Sequence, residues 1–415
     1  MKVDRPKGVR NLDFNESYLL DYIEKTIEEN FKLWGYEKLQ LPLLEYYNTH
    51  SKSLTQALLN NSFRMVDRYS GEILILRPDF TTQVARYVAS LKEKDFPLRV
   101  YYKGDIFRYV VPKADNLYER RQIGIELIGV SEIEADAEVI GVAISSIKRL
   151  GVENFQIDIN NVKIYHVIKN ILKLEDSSFS DLMTFIKGRE IYSIKRFLSN
   201  FHVDEDLKEF ILSIPSLRGG IELIESLLDR FSRVEPLRLA FEELLKIYII
   251  LRDYGLEDYI VFDLGEPMDF DYYTGIIFEM FSKDSKKVIG VGGRYDNLLS
   301  KYDGDCPATG FAFDLFCLHP ILMGKGFAES GKDFYIIDTT NDKKTAYKIA
   351  TKLRELGFSV ARDIVKRDPE ESKRVAFKKG FKTVIIVKLE KSERRLYIFS
   401  KEGKVEVKSI EDILG

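Results

Sequence analysis

The sequence predicts an α/β chain of the α+β kind: an antiparallel sheet core with a helical insertion, followed by a smaller α/β domain. Three observations predict it. Segments that alternate apolar and polar residues recur before about Asn161 and return at YIVFDL, the two-residue period of half-buried antiparallel strands. Between about 161 and 254 that signal nearly vanishes and helical periodicity dominates. From Asp333 onward strands alternate with helices, the pattern of a three-layer unit. At 415 residues the chain is too long for one ordinary core, and domains at 1–328 and 332–415 are expected.

The elements follow in order. ESYLLDYIEKTIEENFKLW (16–34) is an amphipathic helix closed by Gly35. YEKLQLPLLEY is strand-like around Pro42, and FRMVDRYSGEILILRP is a hairpin turning at Tyr69 to Glu72. TTQVARYVASL is a helix that starts after Pro78 and Asp79. LRVYYKGDIFRYV and RRQIGIELIG are strands joined by the polar loop VPKADNLYE, followed by the helix EADAEVIGVAISSIKRLG and the strand FQIDINN. The insertion holds helices such as DLKEFILSI, IELIESLLDRF and PLRLAFEELLKIYIILRDYG. Strands return at YIVFDL, GIIFEMF and KVIGVGG, before PATGFAFDLFCLHPILM. The last unit runs FYIID, KKTAYKIATKLRELG, FSVARD, ESKRVAFKKG and TVIIV, then ends in a hairpin.

Charge excludes some functions and localises others. The net charge of -3 argues against a wholly basic nucleic-acid binder and against an acidic disordered chain. Residues 332–415 nevertheless hold 21 Lys and Arg against 14 Asp and Glu, so a basic C-terminal unit follows an acidic body. The two cysteines, Cys306 and Cys317, lack both disulfide-framework and zinc spacing, and His50, His166, His202 and His319 form no metal pattern. With no export signal and no long apolar run in the sequence, a cytoplasmic protein away from membranes is expected.

Six segments, in this order, resemble the catalytic core of class II aminoacyl-tRNA synthetases, and within them the histidyl type. They are LWGYEKLQLPLLE, LRPDFTTQVAR (76–86), GDIFRY, RQIGIELIG (121–129), DYYTGIIFE (271–279) and VGGRYDNLL (291–299). DYYTG followed by GGRYD is specific to that core, and LRPDFT is more similar to the synthetase-like regulatory subunits of ATP phosphoribosyltransferase than to the charging enzymes. The resemblance implies that adenylation would need arginines at three places. Arg108 fills one. Cys317 stands at the second and Met268, beside Asp269, at the third; neither is a cation. Arg120 occupies the place of a ring that would stack on adenine. Losing two preorganised cations costs at least ~10⁴ in rate, which implies no catalytic residues of its own.

The same resemblance implies a retained histidine pocket. Asp79, Gln122 and Glu126 surround the ammonium, Thr81 adds a hydroxyl and Arg108 faces the carboxylate. Tyr272 or Tyr273 and the turn Gly292-Gly293-Arg294-Tyr295 border the imidazole. Gln122 and Glu126, four apart on a strand, point to one face. Read singly, Asp79 is equally a helix cap, Glu126 a solvent-facing strand residue and Arg108 a surface charge.

The family resemblance implies a non-catalytic regulatory subunit with no cofactor and no metal. It would activate a short-form ATP phosphoribosyltransferase catalytic subunit and transmit inhibition by L-histidine in the first step of histidine biosynthesis. A homodimer core is implied by the segment around Pro42. The alternative is an active histidyl-tRNA synthetase, for which the basic C-terminal domain, resembling an anticodon-binding domain, leaves tRNA contact open. Phe377 and Phe381, interleaved with its lysines, fit helix and strand packing equally well.

Overall fold

Asp13 starts the first helix, α1 (Phe14–Leu33), by accepting the Glu16 amide at 2.9 Å while the Glu16 carboxylate takes the Asp13 amide at 2.9 Å. This reciprocal cap satisfies two orphan donors and stabilises such a terminus by about 1 kcal/mol. The stripe Leu19, Ile23, Ile27 and Phe31 is fully buried, and Gly35, at φ +80°, lets the chain turn out of the helix.

The computed structural model describes residues 5–110, 117–267, 272–285, 287–302, 304–324, 332–340, 343–365, 367–390, 393–410 and 412. Most of the loop VPKADNLYE, and Met268, Asp269 and Asp271, lie outside the described residues. The chain divides into two compact units, Met1–Gly326 and Phe327–Gly415.

In the first unit α1 leads to β1 (Glu37–Lys38), β2 (Leu44–Tyr46), α2 (Tyr47–His50), α3 (Gln56–Asn60), β3 (Arg64–Val66), β4 (Ile73–Leu76), α4 (Thr81–Ala89), β5 (Leu98–Phe107), β6 (Glu119–Ile128), α5 (Ile133–Arg149) and β7 (Phe155–Asn161). A run of helices follows: α6 (Val162–Leu172), α7 (Asp176–Lys187), α8 (Ile191–Leu198) and α9 (Glu205–Ser213). The short β8 (Arg218–Gly219) comes next, then α10 (Ile221–Arg230) and α11 (Glu235–Asp253). The chain returns to the sheet through β9 (Ile260–Asp263), β10 (Ile276–Ser282), β11 (Val288–Arg294), β12 (Ala308–Asp314) and α12 (Leu315–Met323).

Among the described residues nine strands form one sheet in the order β1-β5-β6-β12-β11-β10-β7-β9-β8. Its centre is antiparallel, as the alternation predicts. The pairs β1–β5 and β7–β9 are parallel, which side-chain alternation alone does not distinguish. Pro42 splits YEKLQLPLLEY into two short strands, the second of which joins a separate small sheet, β2-β4-β3. The reversal in that sheet is wider than the expected Tyr69 to Glu72 turn, because Asp67 N–H donates to Glu72 O at 2.8 Å and Gly71 N–H to Asp67 O at 2.9 Å.

Arg77 ties the two sheets together. Its Nε donates to Asp105 O at 2.9 Å and its Nη1 to Leu41 O at 3.3 Å, with the guanidinium carbon 3.9 Å from the Phe80 ring centre. Burial lowers its pKa to about 10, still well above neutrality, so the staple stays charged.

The second unit stacks α13 (Lys343–Glu355) and α14 (Pro369–Lys378) on a five-stranded sheet, with strand order β14-β13-β15-β16-β17. Its strands are β13 (Phe334–Asp338), β14 (Val360–Arg362), β15 (Thr383–Glu390), β16 (Glu393–Ser400) and β17 (Val405–Ser409). Phe377 and Phe381 pack into one of its cores with Tyr335, Ile337 and Ile386, so their interleaving with lysines reflects packing.

Candidate functional site

The carboxyl ends of β4 and β12 and the facing surfaces of β5, β6, β11 and β12 surround a cavity of about 190 Å³. All seven residues singled out in the sequence line it: Asp79, Thr81, Arg108, Gln122, Glu126, Tyr272 and Tyr273. Tyr102, Tyr295, Arg120 and Asp314 also line it, and the first two complete its chemistry.

Glu126 lies at the deep end, 1% exposed. Its Oε1 accepts from Thr81 Oγ1 at 2.7 Å and Tyr102 OH at 3.1 Å, and its Oε2 from Tyr295 OH at 2.5 Å. Burial pushes its pKa up to about 8 against the opposing pull of these hydroxyls, with Asp79 adding to the rise. The solvent-facing reading of Glu126 therefore does not hold. Across the ladder it pairs with Gly310, where a Cβ would fall 1.7 Å from Glu126 Oε2. Only glycine leaves room for the carboxyl group there.

Asp79 sits at the start of α4 and is 6% exposed. One carboxylate oxygen accepts the Thr82 amide at 3.3 Å, so the capping role is present; the other lies 3.7 Å from Arg108 Nη2. Burial raises its pKa, opposed by the Arg108 guanidinium and the helix amides. Arg108 donates Nε to Pro78 O at 2.9 Å, which holds the guanidinium at the cavity wall. Tyr272 and Tyr273 form a cluster of rings with centres 4.9 Å apart, Tyr272 lying edge-on to Tyr295 at 6.1 Å, and burial raises both phenol pKa values.

The segment Gly292-Gly293-Arg294-Tyr295 departs from its expected form. Gly292 to Arg294 are the end of β11 and not a turn, and their glycines accommodate neighbours: a Cβ on Gly292 would meet Phe278 at 2.5 Å. Arg294 points away from the cavity. It donates Nη2 to Asp136 Oδ2 at 2.7 Å and to Glu132 O at 3.1 Å, pinning β11 to the start of α5. Strand alternation is the reason: neighbouring residues face opposite sides, and Tyr295 alone reaches Glu126.

At the outer end Arg120 forms an ion pair with Asp314, its Nη2 3.9 Å from Cys317 Sγ. Asp314 also caps α12 by accepting the Phe316 amide at 2.9 Å. Among the described residues no cluster of three His, Cys, Asp or Glu could hold a metal ion. No described helix is long and apolar enough to cross a membrane. The site is thus a partly apolar cup with a hydroxyl-ringed carboxyl group at one end, a cation on the wall and a neutralised charge pair at the other.

Such a cup has the size and polarity to hold a small zwitterion with a further polar group. A family model described as histidyl-tRNA synthetase matches residues 8–318. A relative from Syntrophotalea carbinolica named ATP phosphoribosyltransferase regulatory subunit is 32% identical, over 99% of this chain and 96% of its own length. One of the same name from Geobacter metallireducens is 33% identical, over 88% and 85%. Among solved structures, an ATP phosphoribosyltransferase regulatory subunit/histidyl-tRNA synthetase from Bacillus halodurans superimposes with a TM-score of 0.80 at 27% identity, covering 93% of this chain and 98% of that one. Histidyl-tRNA synthetase from Nostoc sp. PCC 7120 shares the fold at a TM-score of 0.77 and 18% identity, over 100% and 98%. With relatives of the regulatory-subunit name 32% and 33% identical over 99% and 88% of its length, the chain belongs to the family of ATP phosphoribosyltransferase regulatory subunits.

Proposed function

We propose that this chain senses L-histidine for an ATP phosphoribosyltransferase, binding it in the cup around Glu126 and acting on a short-form catalytic subunit that joins ATP to phosphoribosyl pyrophosphate. The observation behind this reading is the contrast between the two ends of the cavity. The amino-acid end keeps acidic groups, hydroxyls and a cation together, while the outer end has its arginine neutralised by Asp314. A site of this composition suits binding and release and is poorly suited to stabilising a phosphoryl transition state. Histidine can regulate only by binding two arrangements of the complex with unequal affinity, and the factor by which it shifts their balance is the factor by which their affinities for it differ. The reading places the protein in the cytoplasm, without adenylation chemistry of its own.

The decisive test mixes the purified chain with a short-form catalytic subunit. Complex formation, activity that requires this chain, and suppression of that activity by histidine are the expected results. Full catalytic activity in its absence, or indifference to histidine, overturns the reading. Robust histidine-dependent ATP–pyrophosphate exchange by the chain alone would instead support the charging enzyme.

A homodimer core belongs to the same proposal. On one face of the small sheet Leu44 pairs with Leu76, Tyr46 with Leu74 and Leu74 with Met65; Leu44, Tyr46 and Met65 are more than 40% exposed in the single chain. Burying the exposed part of each such side chain in a partner contributes about 1 kcal/mol. The double substitution Tyr46→Asp, Met65→Asp is therefore expected to halve the particle mass measured by light scattering at micromolar concentration. An unchanged mass places the subunit contact elsewhere.

A further inference from the structure

The cavity is longer than the ligand proposed for it. Arg120, Gln122 and Glu126 lie on one face of β6, and six residues of strand from Glu126 to Arg120 span about 20 Å. Histidine measures under about 10 Å from carboxylate to imidazole by standard bond lengths. The strand-to-strand ladder continues past the amino-acid end, with Gly310 opposite Glu126, Ala312 opposite Gly124 and Asp314 opposite Gln122. Gly310 and Ala312 leave this stretch without bulk beside Phe311, and Arg120 and Asp314 meet across its outer end.

Three features show how that closure is built. Asp314 is held from behind by the Phe316 amide, so its carboxylate does not swing away from the cavity. Arg120 is 38% exposed on its side chain, while Asp314 is 8% exposed, which locates the pair at the boundary between cavity and solvent. Arg120 and Asp314 line the same cavity as Arg108, and both act on its ionisation. A carboxyl substituent on a ligand held by Arg108 therefore shares its cavity with this pair.

We propose that the Arg120–Asp314 ion pair is a bar across the outer end of the cavity that restricts the site to the free amino acid, excluding carboxyl-extended derivatives and phosphate-bearing ligands. The proposal rests on histidine as the ligand of the inner end. Admitting an extended ligand requires the pair to separate, and leaving a largely buried carboxylate without its cation is costly. An entering phosphate faces a guanidinium already neutralised by the Asp314 carboxylate, so attraction is lost and repulsion added.

Calorimetric titration of the full chain tests this with three probes: L-histidine, L-histidine β-naphthylamide and AMP. Wild type, Arg120→Ala and Asp314→Asn are compared; asparagine keeps the cap on α12. Wild type is expected to prefer histidine over the naphthylamide by about a hundredfold more than either variant does, while histidine affinity itself changes by less than about threefold. Loss of the Arg108 contact weakens the naphthylamide equally in all three proteins and cancels in this comparison. Asp314→Asn, which frees the Arg120 guanidinium, is expected to gain AMP binding by about tenfold, and Arg120→Ala is not. Preference unchanged in both variants, or AMP bound by wild type as tightly as by Asp314→Asn, overturns the bar. A large fall in histidine affinity in both variants assigns the pair to the amino-acid subsite and also overturns it. If none of the three proteins binds histidine, the sensor reading fails, and the AMP comparison alone decides whether the bar stands.

Discussion

Glu126→Gln is expected to level the pH dependence of stability of the first unit between about pH 4.5 and 8. In the folded chain Glu126 holds its proton to about pH 8, whereas an unfolded glutamate releases it near 4.5. Between those values the folded state binds the extra proton, so stability falls as pH rises through the window, and it changes little on this account below 4.5 or above 8. A gap of that size corresponds to several kcal/mol, on the order of 4. Urea unfolding of wild type at pH 5 and 8.5 is expected to show this loss, and the glutamine variant to show much less of it. Asp79 and Asp136, whose pKa values burial also raises, contribute to the slope of both proteins, so the difference between the proteins isolates Glu126. The variant also lacks the carboxylate that a cationic group of the ligand would meet, and histidine affinity at pH 8.5 is expected to fall by about tenfold to a hundredfold. Equal slopes in the two proteins would show that Glu126 titrates normally.

Arg294→Met is expected to destabilise the first unit by about 3–5 kcal/mol while leaving histidine affinity unchanged. Its guanidinium and the Asp136 carboxylate are 7% and 1% exposed, so removing the cation strands a buried anion. The loss is expected to be largely recovered by Asp136→Leu in the same chain, because replacing both partners with apolar groups leaves no uncompensated charge. Chemical denaturation measures the first effect and calorimetry at low temperature the second. Weakened histidine binding with unaltered stability would restore Arg294 to the ligand, as its sequence context suggests.

That contrast shows how far the sequence reaches. Alternation along RQIGIELIG and GIIFEMF made strands β6 and β10 legible, and the same alternation put Gln122 and Glu126 on one face, where both line the cavity. Pro42, too, signals its break. Alternation is silent about which neighbour a strand pairs with, so the parallel β1–β5 and β7–β9 contacts were not readable. The three hydroxyls on Glu126 illustrate the same limit. Thr81, Tyr102 and Tyr295 come from a helix start, a strand and the end of another strand, and nothing local to Tyr102 or Tyr295 marks it as a carboxyl partner. Nor does Arg120 carry a local sign of Asp314, with which it pairs only through the β6–β12 ladder.

The hydrogen bond between Tyr295 and Glu126 joins residues 169 apart in the chain, with the helices α6 to α11 between them. Bringing such ends together carries a closure term of about 4–5 kcal/mol by the logarithmic loop law, before any local strain. Long-range strand pairing of the kind that completes the cup is slow compared with local contacts. A chain truncated after β7 holds Asp79, Thr81, Arg108, Gln122 and Glu126 yet has none of the wall supplied by β10 to β12. A ligand that touches both halves binds only the finished unit, and so favours chains that have completed the closure over those still open.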